Sequence, residues 1–273
     1  MQRRSLAILG TGNIGGAIAR GLVSAGLYTP AGITVTRRRA DHLNTFAQQG
    51  YVATADNLAA VRSSDLLVLA VTPQQLNGLL AEIRDLIDPG RHVVISIVSG
   101  ATIAEIRRQL GSDVPVLRVM PNTAVAIRES MTCIASDSSS PERLAEVTAL
   151  FDALGRTLVI EEALMVPATA LCACGIAFFL RAVRAASQGG IEIGFHAEDA
   201  LLMAAQTAKG AASLLVQAET HPESEVDKVT TPQGCTISGL NQMEHHGFSS
   251  ALIKGIVTSA EKAAVLYAPV KRS

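Results

Sequence analysis

The sequence contains no tryptophan, and its aromatic residues are limited to three tyrosines and six phenylalanines. That leaves few platforms for stacking bases. A formal net charge of −1 supplies no global attraction to nucleic acid or to an anionic membrane. Cysteine is sparse as well. Cys133, Cys172, Cys174 and Cys235 form no CxxC pair and no zinc or disulfide spacing, so neither a metal site nor a disulfide framework is expected. No secretory segment is recognisable. Two arginines do precede an apolar run, but the run is only Leu6 to Leu9 before glycines begin, too short for a signal core. Reduced thiols in the cytoplasm are the expectation. One long uncharged stretch, Ala163 to Leu180, raises the membrane question. Pro167, Thr169, Gly175 and many alanines, followed at once by Arg181 and Arg184, read instead as a buried or interfacial helix. Repeats and low-complexity segments are absent.

What is present is apolar residue in excess. Of 273 residues 48% are hydrophobic and 17% charged, with a mean hydropathy of +0.31, above an average soluble domain. The length allows one large or two modest domains. With no tract that reads as disordered, the surplus apolar surface points to a large subunit interface.

Short runs, often β-branched and bounded by turn residues, occur at Leu6–Leu9, Gly32–Thr36, Leu66–Val71, Val93–Val98 and Val116–Met120. Between them stand helix-start signals: Thr72-Pro73 with Gln75, Thr102 with Glu105, and Ser140-Pro141-Glu142. Strand and helix in alternation predict a parallel sheet with helices on both faces. From Glu161 onward no strand is evident. Leu201, Leu202, Ala205, Ala208, Ala212 and Leu215 share one helical face, and Leu252, Ile256, Ala260, Ala263 and Ala264 another. These small-residue faces suit close helix packing across a dimer. A domain boundary is expected near residues 160–164.

Gly10-Thr11-Gly12-Asn13-Ile14-Gly15 follows the first strand and opens an alanine-rich helix, the context a dinucleotide fingerprint requires. Gly10 permits the tight turn, Gly12 lets a pyrophosphate approach the backbone, Gly15 lets helix and strand pack closely, and the helix N-terminus offers free N–H groups. Where an NAD site usually carries an acidic residue, Arg37, Arg38 and Arg39 stand instead. Guanidinium groups suit a 2′-phosphate, so NADP(H) is the expected cofactor, with NAD(H) left open should the arginines be only a solvated basic face. Ala70-Val71-Thr72-Pro73 ends another strand on the cofactor rim, where its backbone can pack against the dinucleotide; an ordinary strand–helix turn explains it almost as well. Met120-Pro121-Asn122-Thr123 is a candidate for the nicotinamide end. His245 and His246 are adjacent on a helix and point in different directions, so they do not converge on a metal or substrate.

Together these segments resemble the pyrroline-5-carboxylate reductase family over essentially the whole chain. The resemblance is carried by GTGNIG, AVTPQ (Ala70–Gln74), SIVSGATI (Ser96–Ile103), RVMPNTA (Arg118–Ala124) and KVTTPQGCTISGL (Lys228–Leu240). The last is the most specific, because a generic Rossmann dehydrogenase has no such motif in its helical half. The resemblance implies an α/β fold with an N-terminal NADP-binding Rossmann domain, residues 1–162, and a C-terminal all-helical dimerisation and substrate-binding domain, residues 163–273. It implies a homodimer whose helical domains interlock, with further assembly into a decamer. It also implies that Thr236 hydrogen-bonds the imine nitrogen, that Gln233, Gly234 and Cys235 hold the substrate carboxylate, and that Asn57 contacts the adenosine portion. The Pro232–Gly234 turn places Thr236 at a helix start, where free N–H groups attract a carboxylate. Its hydroxyl could instead serve as an N-cap.

Two departures stand out. The family's Ser-Gly-Ser-Gly-Pro-Ala run is here Cys172-Ala173-Cys174-Gly175-Ile176-Ala177, and Gln233 replaces a usual glycine. The implied reaction is reduction of 1-pyrroline-5-carboxylate to L-proline by hydride transfer from NAD(P)H, the last step of proline biosynthesis. The alternatives are an NADPH-binding sensor without turnover and a reductase of a related imine or keto acid, although no lysine stands in a matching catalytic motif.

Overall fold

The computed structural model describes residues 4–38, 40–111, 113–137, 141–218 and 220–267. Arg39 of the arginine run and Ser140 at an expected helix start lie outside them. The chain divides into two compact units, Met1–Cys174 with Ser259–Ser273, and Gly175–Thr258.

The first unit begins β1 (Leu6–Leu9), α1 (Asn13–Ser24), β2 (Ile33–Thr36), α2 (Ala40–Gln48), β3 (Val52–Thr54), α3 (Asn57–Arg62), β4 (Leu66–Leu69) and α4 (Pro73–Ile83). It continues β5 (Val93–Ser96), α5 (Ile103–Leu110), β6 (Val116–Met120), β7 (Ser130–Ser136), α6 (Pro141–Asp152), β8 (Gly155–Val159) and α7 (Met165–Ala168). One eight-stranded sheet results, in the order β3-β2-β1-β4-β5-β6-β7-β8, and every pairing is parallel except β6 with β7. The Rossmann expectation is met, and the order reverses between β1 and β4, the switch point at which such sheets bind ligands.

The central strands β1 and β4 read as unbroken apolar runs because both sheet faces are covered there. Successive side chains point to opposite faces. Leu6 and Ile8 join one core with Val68, Ile95, Val119 and Phe151, while Ala7 and Leu9 join the other with Leu67, Leu69, Leu80 and Ile106. The last described residue, Tyr267, belongs to this second core. Tyr267 is buried there, its hydroxyl donating to Asn77 Oδ1 at 2.7 Å.

Three strands escaped the apolar-run criterion, β3, β7 and β8. β3 spans three residues at a sheet edge, and β8 at the other edge leaves Leu158 and Val159 about half exposed. In β7 the polar Ser130 and Thr132 are buried and bond each other through their hydroxyls at 3.0 Å, so burial there carries no hydrophobic signature. β7 runs antiparallel to β6 because the link is short, a 3-10 turn at Thr123–Ile127 closed by Arg128 at φ 61°.

The second unit holds α8 (Gly175–Glu192), α9 (Ala197–Ala218), α10 (Pro222–Lys228), α11 (Cys235–His245) and most of α12 (Phe248–Ala264). It is wholly helical among the described residues. α8 and α9 pack on each other, yet Ala200 is the only buried residue of α9, and Leu202 stands 69% exposed. The apolar face expected on this helix is therefore open in the single chain. The continuous helical run Glu162–Glu192 is long and apolar enough to cross a membrane by length and composition, and 28% of its most apolar window is buried.

Candidate functional site

A cleft of about 480 Å³ opens at the carboxyl ends of β1, β2 and β4, within the usual range for ligand sites. Its floor is the turn after β1. Gly10 has φ +98°, and a Cβ there would lie 2.8 Å from the Ala70 carbonyl oxygen. That contact lets the turn and the end of β4 close on each other. Gly15 in α1 supports the turn from behind: a Cβ on it would meet Gly10 O at 2.4 Å. Gly12 differs, because a Cβ there would meet nothing within 4 Å and Gly12 lines the cleft. The glycine turn thus presents bare backbone and the start of α1 to open space, a cradle that fits a dinucleotide pyrophosphate.

Of the sequence-predicted cofactor residues, Gly10, Gly12, Arg37 and Arg38 line this cleft, as do Asn57, Ala70, Val71 and Thr72. Asn13, Ile14, Gly15 and Pro73 are not among its lining. Asn13 is exposed in the first turn of α1, Ile14 packs toward the core, Gly15 is buried, and Pro73 is the first residue of α4. Thr11, Thr36, Ala55 and Gln75, outside the expected cofactor set, also line the cleft. Thr36 carries the most structural weight of these. Its hydroxyl accepts from Gly10 N at 3.2 Å and donates to Asn57 Oδ1 at 2.7 Å, while Asn57 Nδ2 donates to Glu82 Oε2 at 3.0 Å. The Asn57 amide is therefore engaged at both ends, tying α3 to the glycine turn. Arg37 donates to the Thr11 carbonyl at 2.9 Å, which braces one arginine against the turn and leaves its remaining donors toward the cleft; Arg38 is exposed on the cleft wall.

Met120–Thr123 ends β6 at the carboxyl edge shared with β1 and β4. Asn122 is fixed there from three sides. Its Oδ1 accepts from Ala124 N at 3.0 Å, its Nδ2 donates to Cys172 O at 3.3 Å, and its N donates to Ser130 Oγ at 3.1 Å. Arg118, on the same strand, is buried and pairs with Glu162 Oε1 at 3.2 Å.

In the second unit, Thr231, Pro232, Gln233 and Gly234 form a turn closed by Gly234 N donating to Thr231 O at 2.9 Å. Gln233 sits at φ 59°, the left-handed region that favours glycine. α11 then starts at Cys235 with Gly234 as its cap, two residues earlier than the Ile237 start read from the sequence. Thr236 consequently lies in the first turn and is not the N-cap. Among the described residues its hydroxyl has no hydrogen-bond partner. His245 and His246 close α11, exposed, with rings edge to face at 5.3 Å.

Residues 162–266 match the family described as pyrroline-5-carboxylate reductase dimerisation, and residues 5–100 match NADP oxidoreductase coenzyme F420-dependent. Pyrroline-5-carboxylate reductase 2 of Dictyostelium discoideum is 49% identical over 95% of this chain and 92% of its own length. The chain belongs to the pyrroline-5-carboxylate reductase family. Pyrroline-5-carboxylate reductase 1 of the same organism is 53% identical over 96% of this chain, which spans 50% of that relative's length. A pyrroline carboxylate reductase of Plasmodium falciparum, solved with NADP bound, is 23% identical and superposes at a TM-score of 0.89 over 98% of this chain and 100% of that one. That likeness shows the shared fold. The dimerisation match takes in the exposed apolar faces of α8 and α9.

Proposed function

We propose that the chain reduces 1-pyrroline-5-carboxylate to L-proline with NADPH, the last step of proline biosynthesis. Family membership carries this reading. Residues 1–162 serve as the NADP-binding domain and residues 163–273 as the dimerisation and substrate-binding domain. The chain forms a homodimer that assembles further into a decamer, and the exposed apolar faces of α8 and α9 are covered by the partner subunit rather than by lipid. The cytoplasm is its compartment, in keeping with cysteines that are all free.

When bound, NADPH supplies the hydride. Arg37 and Arg38 receive the 2′-phosphate through forked donors, the Gly10–Gly15 turn receives the pyrophosphate, and Ala70–Pro73 flanks the dinucleotide. Asn57 holds the adenosine end by fixing Thr36 and the turn. On the substrate side, the backbone of Gln233, Gly234 and Cys235 at the open start of α11 binds the carboxylate. Thr236, whose hydroxyl is not spent on capping, hydrogen-bonds the imine nitrogen and orients it. A protonated imine is already electrophilic, so the protein's main contribution is holding the reacting atoms in line.

The test is NADPH oxidation with 1-pyrroline-5-carboxylate against a simple ketone control. Oxidation with the imine alone is expected; binding of NADPH without turnover would overturn the reading in favour of a sensor, and equal turnover of the ketone in favour of a carbonyl reductase. A hydrogen bond to a charged group contributes about 1.5–3 kcal/mol, so Thr236→Ala is expected to lower turnover roughly ten- to a hundredfold with NADPH affinity unchanged. Full turnover in that variant would remove Thr236 from the mechanism.

A further inference from the structure

Two of the four cysteines, distant in sequence and outside the cofactor cleft, meet in the first unit. Cys133 Sγ, on β7, lies 4.0 Å from Cys172 Sγ. They sit in a small apolar cluster with Met120, Ala135, Met165 and Ala168. In the single chain Cys133 is buried and Cys172 only partly so, which makes Cys172 the more accessible of the two. The two are held differently. Cys133 is fixed in a buried strand paired on both sides. Cys172 belongs to a single π-helical turn, Thr169–Cys174, just beyond Pro167, with the Thr169 hydroxyl donating to the Met165 carbonyl at 2.8 Å. Such turns interrupt the regular helical ladder and recur at functional sites. The carbonyl of Cys172 is also the acceptor for Asn122 Nδ2.

We propose that Cys133 and Cys172 are an oxidisable dithiol, closed to a disulfide by hydrogen peroxide, and that closure displaces the π-helical turn and releases the Asn122 anchor at the end of β6. The Cys172 thiolate attacks one peroxide oxygen, the O–O bond breaks, and hydroxide leaves, giving a sulfenic acid on Cys172. Cys133 Sγ then attacks Cys172 Sγ, and its proton goes to the departing oxygen as water. Two thiols and one peroxide become one disulfide and two waters. The order of events follows from burial, since Cys133 is enclosed while Cys172 is the more accessible sulfur. The contact with Cys133 also holds the Cys172 thiol below its ordinary value despite burial, and pushes Cys133 up. Cys172 is therefore the nucleophile. A disulfide bond is about 2.0 Å long, so the sulfurs must close half their separation. The strand is clamped in the sheet, so the turn moves, taking the Cys172 carbonyl with it.

The experiment uses the assembled full-length protein with NADPH bound or free. It is treated with equimolar hydrogen peroxide, then denatured, alkylated and digested for mass analysis. The expected result is a Cys133–Cys172 linked peptide lacking two hydrogens, absent from both Cys172→Ser and Cys133→Ala. Retention of all four free thiols would overturn the proposal, and so would a linkage that joins Cys174 or Cys235 instead. The effect on turnover rests on the reductase reading. NADPH oxidation is expected to fall about tenfold or more on oxidation and to return with dithiothreitol in the native protein, whereas Cys172→Ser is insensitive. A disulfide that left turnover unchanged would overturn the coupling to Asn122. Absence of turnover in the reduced protein would count against the reductase reading alone, because the linked peptide is scored by mass.

Discussion

A methyl group on Gly15 would lie 2.4 Å from a backbone oxygen, whereas one on Gly12 would point into the open cleft. Two residues of one motif thus separate fold from ligand. Gly15→Ala is expected to destabilise by about 1–3 kcal/mol through overpacking. Gly12→Ala is expected to fold with an unchanged melting temperature and to weaken NADPH binding about tenfold, or about 1.4 kcal/mol. Thermal denaturation and cofactor titration of the pair check both outcomes. Asp65 carries a pH dependence of the same local kind. Burial pulls its carboxyl up, but the Arg91 guanidinium at 2.7 Å and the Ser5 hydroxyl and N–H outweigh that and hold it below its ordinary value. Its contribution is fully present above the unfolded carboxylate pKa of about 3.9 and is lost as pH falls through the lower folded value. Asp65→Asn is therefore expected to melt below the native protein at neutral pH and to converge with it in acid, as thermal scans across that range would read.

At the scale of elements, helix starts were the most legible feature. Thr102 and Glu105 form the capping box that their spacing announces: Glu105 N donates to Thr102 Oγ1 at 3.2 Å and Thr102 N to Glu105 Oε2 at 2.8 Å. Thr102→Ala is expected to cost about 1 kcal/mol, readable as a shifted urea midpoint with an unchanged slope. The Thr236 helix shows the limit of such reading. Ile237 looked like its first apolar position, but Gly234 leaves its backbone free to cap, and the helix begins at Cys235. The strand β7 was illegible for another reason. Its buried Ser130 and Thr132 hydroxyls satisfy each other along one face of the strand, so no hydrophobic run betrays it.

For the molecule as a whole, the apolar surplus of the composition reappears as surface. Phe179, Leu180, Leu201 and Leu202 are all exposed on α8 and α9 of one chain. An apolar side chain buried at an interface contributes about 1.5–3 kcal/mol, and a buried unpaired charge costs more. Leu202→Arg is expected to shift the assembly toward smaller species with the secondary structure retained. Light scattering after size exclusion would show it, and an unchanged mass would mean that this face is not the interface.

The strands β1, β2, β4, β5 and β6, their parallel arrangement, the glycine turn and the arginines after β2 followed from the sequence alone, because each depends on local backbone geometry or on a period of two or 3.6 residues. The engagement of Asn57 by Thr36 and Glu82, and the meeting of Cys133 with Cys172 across 39 positions, were settled only by the tertiary structure. A hydrophobic period states which face of an element is covered; which side chain covers it depends on how the whole chain packs.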